Sequence, residues 1–435
     1  MPVEMAISTG ASGGALRSPR SDVAVVGGSV GAPGVRAGRI DSVDLLRGVI
    51  MVIMMLDHTR DFVHRDAFVF DPTDVTKTYP ILFFTRWITH FCAPIFVFLA
   101  GTGSYFQRMR GKPLGELSTL LLTRGLWFIA LELCFFRFLI FFNADVTTML
   151  AFLQVIWAIG WSLIVLAAVI HLPLRVIVTM SVAMIALHNA LDGIQVTTFA
   201  GPGTPIPGFG ASLWKILHER GVIFPFGSTG PIVFVLYPLI PWVGVMWAGY
   251  AVGALYERPE PERRRLLLRI GAALIVGFLV VRGVNVYGDP SRWSAQSTLV
   301  RSMLSFLAVS KYPPSLLYLL MTLGPALVFL GAFDRAARGI VARIFITFGR
   351  VPLFFYCLQW FTSHMLAVVA VKLAGQPSDF LFGNIIIGPP PPAGFGFGLA
   401  TVYGLWILGL MLIYPLCVWF AGVKARRRDW WLSYI

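Results

Sequence analysis

The sequence predicts an all-α fold, a polytopic integral membrane bundle of about ten transmembrane helices. Two observations predict it. Of the 435 residues, 57% are hydrophobic and 13% are charged, and apolar runs of spanning length recur along most of the chain. A soluble domain carries about 25% charged residues, so an ordinary soluble fold is excluded. A soluble β-rich fold is excluded as well, because the runs lack strand alternation and lipid tolerates only helices or closed barrels.

The apolar runs begin at Asp44, and Gly, Pro or basic residues separate one run from the next. A helix needs roughly 20 residues to cross the hydrocarbon core of a bilayer. Hydropathy along the chain therefore predicts ten spans. They lie at 44–63, 86–107, 117–142, 149–170, 174–192, 231–256, 266–284, 314–333, 344–372 and 400–423.

The residues around these spans define the rest of the organisation. Residues 1–40 are rich in Gly, Ser, Ala and Pro without an apolar core of signal-peptide length, which predicts a disordered tail. A membrane domain at 41–424 follows, and a short basic tail at 425–435 ends the chain. Lys and Arg are concentrated in alternate loops, so the positive-inside rule places both termini in the cytoplasm.

The formal net charge of +14 would suggest a nucleic-acid partner in a soluble protein. Here the Lys and Arg residues lie in loops between spans, so topology explains them and no nucleic-acid partner is predicted. The four cysteines lie far apart in apolar runs, and no Cys/His cluster has metal-ligand spacing. The sequence therefore predicts neither a disulfide framework nor a bound metal.

Ionisable residues inside membrane spans are costly, and each raises a functional question. Five of the seven histidines fall at one predicted membrane level, towards the outer ends of the spans. These are His58, His64, His90, His188 and His364. Further polar residues at that level are Arg60, Arg86, Asp192, Tyr287, Asp289 and Lys311. This placement predicts a polar cavity that opens outward.

The first span carries the densest group of these residues. Asp57, Arg60, Asp61 and His64 follow the i, i+3, i+4, i+7 pattern and share a face if the helix continues that far. His58 is turned about 100° from Asp57 around the helix axis and lies on the same stripe as Met54 and Arg47. One face could then balance charge while the neighbouring face presents an imidazole. A simple salt-bridge ladder at the helix end is the alternative.

Two arginines lie inside spans at the opposite membrane level. Arg47 is near the start of the first span, and Arg350 begins the ninth. A guanidinium stays charged and binds phosphate oxygens through a fork of donors. Arg47 and Arg350 are therefore candidates for binding a phosphorylated cytoplasmic ligand such as coenzyme A. Anchoring to anionic lipid is the ordinary explanation for the arginines in the nearby loops.

Several motifs, spread over nearly the whole membrane domain, resemble those of a known family. They are SVDLLRG at 42–48, LDH at 56–58, FTRWITHFCAP at 84–94, LHNALD at 187–192, YPLIPW at 237–242, YGDP at 287–290, KYPPS at 311–315 and GRVPLF at 349–354. Together they resemble bacterial membrane proteins of the heparan-alpha-glucosaminide N-acetyltransferase type, within the transmembrane acyltransferase superfamily.

The resemblance implies an enzyme of the bacterial inner membrane that uses acetyl-CoA and no metal. It would move an acyl group, typically acetyl, from the cytoplasmic donor to a sugar hydroxyl or amine of an extracytoplasmic glycan or glycolipid. The essential first-span histidine of the superfamily matches His58, whereas the active histidine of the eukaryotic heparan enzymes is nearest to His64. Gln359 stands where relatives usually show His, and His364 is retained.

The resemblance implies a role for each of these residues. His58 or His64 would act as general base or as nucleophile, and Asp57 or Asp61 would orient the imidazole. Arg47 and Arg350 would bind the phosphates of CoA. The acceptor side would be formed by Arg60, Arg86, His188, Asp192, Trp242, Tyr287, Asp289, Lys311 and His364.

Two other classes of protein fit the spans. A proton-coupled secondary transporter would use the same carboxylates and histidines as a relay, but the sequence shows no convincing internal repeat and the polar group is offset to one face. A non-catalytic scaffold or flippase-like protein would not explain the convergence of His, Asp and Arg. The sequence leaves open the acceptor sugar, the acyl chain length and whether two copies form a homodimer.

Overall fold

A computed structural model describes residues 40–434 apart from 68, 202, 335–338, 384–390 and 428, and the side chain at 433. The tail predicted at 1–40 lies outside the described residues except for its last position. The described part is mostly helical, as predicted. Its α-helices, in chain order, are α1 (Asp41–Val63), α2 (Pro80–Trp87), α3 (Cys92–Met109), α4 (Leu114–Leu131), α5 (Arg137–Phe141), α6 (Val155–Val169), α7 (Leu174–Leu187), α8 (Phe209–Leu217), α9 (Leu239–Gly253), α10 (Glu260–Val284), α11 (Leu299–Leu307), α12 (Leu316–Ala332), α13 (Ile340–Arg350), α14 (Pro352–Leu373) and α15 (Leu399–Arg426).

Several of these helices continue into short turns of another helix type. A π-helical turn at Glu132–Phe136 joins α4 to α5, and 3₁₀ turns occur at Ile88–Phe91, His188–Leu191, Ala254–Glu257, Asp379–Phe382 and Trp430–Ser433. Seven continuous helical segments in the described part are long and apolar enough to cross a bilayer. They are Pro80–Met109, Leu114–Phe141, Leu174–Leu191, Leu239–Glu257, Glu260–Val284, Pro352–Leu373 and Leu399–Arg426.

Three further helices bear on the number of spans. The apolar helices α6 and α12 are shorter than the seven segments above. Helix α1 has 23 residues, which gives a length of about 34 Å, close to the thickness of a hydrocarbon core. Its charged side chains at both ends are the reason that it is not one of the seven segments. A total of ten spans stays a prediction.

A small sheet inside the helical bundle corrects the all-α prediction. Strand β1 (Met149–Leu153) pairs in parallel with β3 (Ile232–Val235), and β2 (Gly221–Ile223) pairs antiparallel with β3. The predicted spans at 149–170 and 231–256 are therefore wrong at their N-terminal ends, which contain the strands β1 and β3. Both stretches are short and apolar, a pattern that hydropathy cannot distinguish from the start of a helix.

The predicted span at 344–372 is two helices and not one. Helix α13 ends at Arg350, and α14 begins at Pro352, which lacks a backbone donor and suits the first turn of a helix. Gly349 lies beside α1, where an added Cβ would stand 1.9 Å from the carbonyl oxygen of Asp44. Gly48 on α1 approaches the backbone of Phe345 equally closely. Small residues thus hold this helix break against α1.

The end of the chain also packs against the bundle. The basic tail predicted at 425–435 includes the last two residues of α15 and the Trp430–Ser433 turn. Leu432 is buried, and the Tyr434 hydroxyl is 2.9 Å from Oγ1 of Thr123 on α4.

Candidate active site

Helices α1 and α14 lie side by side and carry the candidate histidine between them. Nδ1 of His58 is 2.7 Å from Oε1 of Gln359. The imidazole stacks on the indole of Trp360, with ring centroids 3.7 Å apart and planes inclined by 20°. The ring is therefore fixed both in its plane and at one nitrogen.

The amide of Gln359 determines which nitrogen of His58 carries the proton. Nε2 of Gln359 donates to the carbonyl oxygen of Tyr356 at 3.2 Å. If the amide were flipped, Oε1 of Gln359 would face the carbonyl oxygen of Tyr356, and two acceptors would repel each other. Oε1 of Gln359 therefore faces His58 and can only accept, which assigns the proton to Nδ1 and the lone pair to Nε2.

Asp57, next to His58, is the centre of a cationic cluster. Its carboxylate is 2.6 Å from the Arg86 guanidinium, 2.9 Å from that of Arg60 and 4.0 Å from Nζ of Lys311. Arg60 also pairs with Asp61. The sequence predicts a carboxylate partner for His58, whereas in the structure its hydrogen-bond partner is the neutral Gln359 and Asp57 is engaged by these three cations.

His58 lines a cavity of about 250 Å³, which we call the central cavity. Helices α1, α3 and α14, the β1 and β3 strands and the loop before α12 all contribute to its wall. The lining residues are Met54, Asp57, His58, Asp61, Phe62, Arg86, Cys92, Ala93, Phe96, Ile140, Phe152, Gln154, Val155, Phe234, Leu236, Tyr237, Lys311, Tyr312, Tyr356 and Trp360.

A second cavity of about 540 Å³, the proximal cavity, lies at the N-terminal end of α1. Most of its lining residues are apolar, and its charged lining consists of six cations and one carboxylate. These are Arg47, Arg110, Lys112, Arg124, Arg350, Lys424 and Asp44. Arg47 donates to Asp44 and to the carbonyl oxygen of Gly349, both at 3.0 Å. The structure thus brings the two predicted phosphate-binding arginines, Arg47 and Arg350, to one cavity.

A third cavity of about 430 Å³, the distal cavity, lies beyond the C-terminal end of α1. Its titratable lining residues are Asp71, Asp74, Arg86, His90, Arg220, Arg282, Arg292, Lys311 and Tyr312. The Arg282 guanidinium is buried and donates to the carbonyl oxygens of Ser291, Ser305, Phe306 and Ala308, so it supports the end of α11.

The three cavities form a series because neighbours share wall residues. The proximal and central cavities share Phe96, Val155 and Tyr356. The central and distal cavities share Arg86, Lys311 and Tyr312. His58 lies in the middle of this series.

His64 departs from the helix face that its spacing predicts. Helix α1 ends at Val63, and His64 has extended backbone angles and bridges to Phe397. Its Nδ1 accepts from the backbone N–H of Asp66, and its Nε2 is 3.3 Å from the Tyr79 hydroxyl. His64 lines none of the three cavities.

The predicted convergence of five histidines is not what the fold produces. His58 lines the central cavity and His90 the distal one. His188 faces the carbonyl oxygen of Pro314 through Nε2 at 2.7 Å. Both ring nitrogens of His364 face carbonyl oxygens, those of Leu139 and Leu381, and the ring stacks on Phe142. His188 and His364 therefore support the backbone around the site.

Other residues predicted for the acceptor side also have supporting contacts. Asp289 accepts from Ser310 and Ser315 and fixes the loop that carries Lys311. The Tyr287 hydroxyl donates to the carbonyl oxygen of Ala186, and Trp242 is fully buried. Asp289, Tyr287 and Trp242 do not line any of the three cavities.

Asp192 accepts two side-chain hydrogen bonds and lies outside the three cavities. Its carboxylate accepts from His218 Nε2 at 3.0 Å and from Asn189 Nδ2 at 2.8 Å. Burial raises the pKa of Asp192, but these two hydrogen bonds outweigh burial and leave its pKa below the usual value.

Two residues that sequence reasoning missed, Tyr356 and Trp360, lie on one face of α14 together with Gln359, which the sequence marks only as a departure from relatives. Tyr356, Gln359 and Trp360 fall at i, i+3 and i+4 and all surround His58. This helical spacing was the available signal. The second group missed, Phe152 and Phe234, belongs to the sheet that hydropathy did not reveal.

The fold and the site define an integral membrane protein in which a fixed histidine lies between two basic cavities. Among the described residues, no group of three or more His, Cys, Asp or Glu side chains could hold a metal ion. The family model described as heparan-alpha-glucosaminide N-acetyltransferase, catalytic, matches residues 39–286. The chain belongs to this family, whose activity is that of a membrane acetyltransferase. A search of curated protein sequences gave no significant match.

Proposed function

We propose that the protein transfers an acyl group from acyl-CoA in the proximal cavity to a sugar amine or hydroxyl that enters from the distal cavity. The observation that carries this proposal is the series of cavities with shared walls and His58 in the middle one. Donor and acceptor can then meet at one imidazole from opposite sides.

The proximal cavity suits the donor. Its six cations match the phosphates of CoA, and Arg47 and Arg350 are fixed beside it by the break between α13 and α14. Moving the multiply charged CoA across a bilayer would be costly, whereas an acyl group is small and uncharged. The residues shared by the proximal and central cavities mark the point that the acyl group passes.

His58 acts as the general base in this proposal. Nε2 takes the proton from the acceptor O–H or N–H while the acceptor oxygen or nitrogen attacks the thioester carbonyl carbon. The C–S bond then breaks, and the proton passes from Nε2 to the departing CoA sulfur. Gln359 holds the tautomer in which Nε2 has the lone pair. Arg86 and Lys311 lie on the same cavity wall and can stabilise the negative charge that develops on the carbonyl oxygen.

Membrane placement completes the proposal. The proximal cavity faces the cytoplasm, where acyl-CoA is present, and both termini lie on that side of the bacterial inner membrane. The distal cavity faces the extracytoplasmic side and the glycan or glycolipid acceptor. Helices α1, α6 and α12 then cross the bilayer with the seven longer segments, which gives ten spans.

The test is turnover by the purified full-length protein in detergent, with acetyl-CoA and either glucosamine or methyl glucoside. Release of the CoA thiol is followed for the wild type, His58→Ala, His64→Ala and the matched control His171→Ala, whose side chain is exposed. We expect His58→Ala to lower kcat by about 10²- to 10⁴-fold, His64→Ala to have a much smaller effect and the control to match the wild type.

Full activity in His58→Ala would contradict the proposal. A loss confined to His64→Ala would move the base to the other histidine. Single-turnover labelling with radioactive acetyl-CoA and no acceptor separates direct transfer from a covalent route, because an acetyl group retained on His58 would identify a nucleophile. Thermal stabilisation by CoA alone argues against the transporter alternative, since a transporter of unrelated solutes has no reason to bind it.

A further inference from the structure

Gln154 lies where the small sheet meets helix α6, beside the passage between two cavities. It follows the last residue of β1, Leu153, and is the N-cap residue of α6. Its side chain lines the central cavity, which also contains His58. The next residue, Val155, lines both the central and the proximal cavity. An acetyl group that comes from the proximal cavity would therefore pass beside Gln154.

The usual task of an N-cap side chain is carried out here by a residue of another helix. An N-cap side chain ordinarily accepts a hydrogen bond from a backbone N–H of the first turn. Within the described first turn of α6, the side chain of Gln154 makes no such bond. Glu132, in the π-helical turn after α4, accepts instead from the backbone N–H groups of Gln154 and Trp157, each at 3.2 Å. The side chain of Gln154 is thus released from capping.

The amide of Gln154 is buried and keeps an unused donor. The residue is 8% exposed, and among the described residues its Nε2 has no hydrogen-bond partner. A buried donor left unpaired lowers stability, and such donors are rare in folded proteins. The terminal torsion of a glutamine side chain is soft, so rotation about it can turn an N–H towards the cavity. A ligand in the central cavity would supply the hydrogen-bond acceptor that the described residues do not.

Two cationic donors of the same cavity differ from Gln154 in position and in pairing. Arg86 and Lys311 lie at the end shared with the distal cavity and form ion pairs with Asp57. Part of their charge is therefore balanced before a substrate binds. Gln154 lies at the end from which the acetyl group comes, and its Nε2 is not engaged by any described residue. The carbonyl oxygen of a thioester at the passage would lie beside this amide.

We propose, on the basis of the function proposed above, that Gln154 is a further catalytic residue of acetyl transfer. Its N–H donates to the carbonyl oxygen of the acetyl thioester, where negative charge develops during the attack. As the acceptor nitrogen or oxygen bonds to the carbonyl carbon, the π electrons of the C=O bond move onto the oxygen. They return when the C–S bond breaks and the CoA sulfur takes the proton from His58. Gln154 keeps both protons of its amide throughout.

The experiment compares Gln154→Met with the wild type, as full-length protein in detergent with acetyl-CoA and glucosamine as probes. Methionine has about the length of glutamine and no N–H donor in its side chain. We expect kcat to fall about 10²-fold and KM for either substrate to change less than about twofold, because the lost hydrogen bond strengthens only as charge develops on the oxygen.

The matched control is Ser162→Ala on the same helix. Ser162 is fully buried, and its Oγ likewise has no partner in the described part of the chain. It lines none of the three cavities. Both substitutions therefore remove a buried polar group without a partner, but only one of them changes the wall around the reacting atoms. Ser162→Ala should keep the wild-type kcat.

Stability separates this catalytic role from a structural one. Because Gln154→Met removes an unpaired buried amide, its unfolding temperature should be equal to or higher than that of the wild type. CoA alone, which has no acetyl carbonyl, should stabilise the variant as much as the wild type. A structural role of Gln154 predicts the opposite, a loss of stability together with the loss of activity.

Three results would overturn the inference. The first is a kcat for Gln154→Met equal to that of the wild type. The second is a rise in KM for either substrate at unchanged kcat, which would assign Gln154 to binding. The third is a fall in kcat together with a lower unfolding temperature and lost stabilisation by CoA. Absence of acetyl transfer by the wild type itself contradicts the proposed function, and this inference falls with it.

Discussion

The proximal and distal cavities are both lined by several cations, yet these cations do different things. In the distal cavity, the Arg282 guanidinium donates its hydrogen bonds to four backbone carbonyl oxygens. Arg86 and Lys311 form ion pairs with Asp57. Two further carboxylates line the same cavity. In the proximal cavity, six cations share the lining with one carboxylate, Asp44, and two acids outside the lining, Asp41 and Glu116, pair with Arg350 and Lys112. Six cations thus face three acids.

The comparison teaches that an excess of positive charge over nearby acids, and not the number of cations, distinguishes a site for an anionic ligand from a cavity whose cations are mainly balanced by the protein itself. Cations that already balance a buried acid hold the fold together, and removing the acid leaves them uncompensated. Cations in excess of nearby acids remain able to neutralise a bound anion. Substitutions in the two cavities should therefore affect different quantities.

The largest expected effect is on stability, at Asp57. Replacing Asp57 with Asn would leave Arg60, Arg86 and Lys311 without their shared carboxylate. We expect the free energy of unfolding to fall by about 3–5 kcal/mol, the range for a broken buried ion pair. Thermal unfolding in detergent measures this loss. The matched control is Asp61→Asn, because the Asp61 side chain is 37% exposed and pairs with Arg60 alone among these cations. An unfolding temperature for Asp57→Asn equal to that of the control would remove the distinction between the cavities.

An intermediate effect is expected on donor binding, at Arg47. Replacing Arg47 with Gln removes one charge-assisted contact, and we expect KM for acyl-CoA to rise about tenfold with kcat little changed. Arg47→Lys should recover part of the affinity, since it keeps the charge but not the fork of donors. The control is Arg292→Gln in the distal cavity, which should leave the donor KM unchanged. Equal rises in KM for Arg47→Gln and Arg292→Gln would show that the donor does not distinguish the two cavities.

The smallest effect concerns an acid outside both cavities. Because the folded-state pKa of Asp192 is lowered, its stabilising contribution is present above the unfolded pKa, about 4, and is lost as the pH falls through the lowered value. The unfolding temperature of the wild type should therefore fall on acidification from pH 5 to pH 3. In Asp192→Asn the fall should be smaller, because this carboxylate no longer takes up a proton. Parallel curves for the two proteins would exclude this role of Asp192.

Parts of the site were predictable from individual residues and their spacing. Asp57, His58 and Arg60 stand out because ionisable groups are rare inside a span, and their helical positions predict the Asp57–Arg60 pair that the structure contains. Arg47 and Arg350 stand out for the same reason, at the other membrane level.

The partner of His58 was not predictable in this way. Gln359 is 301 positions away, and it stands out in the sequence only because relatives usually have His there, which does not show that it contacts His58. The sequence instead suggests the neighbouring carboxylates, because proximity along the chain is visible and proximity in space is not. His364 was placed in the acceptor site because of its membrane level, but level does not show that both its nitrogens face backbone carbonyl oxygens.

The sequence alone determined that this protein belongs in a membrane, which stretches contain its longer helices and which charged groups had to be accounted for. Hydrophobicity and helical periodicity are local properties, and a stretch of chain carries them without its neighbours. The tertiary structure decided which cations are balanced by acids, which nitrogen of His58 holds the proton and that a sheet forms one wall of the cavity. Each of these depends on groups from distant segments, which meet only when the helices pack.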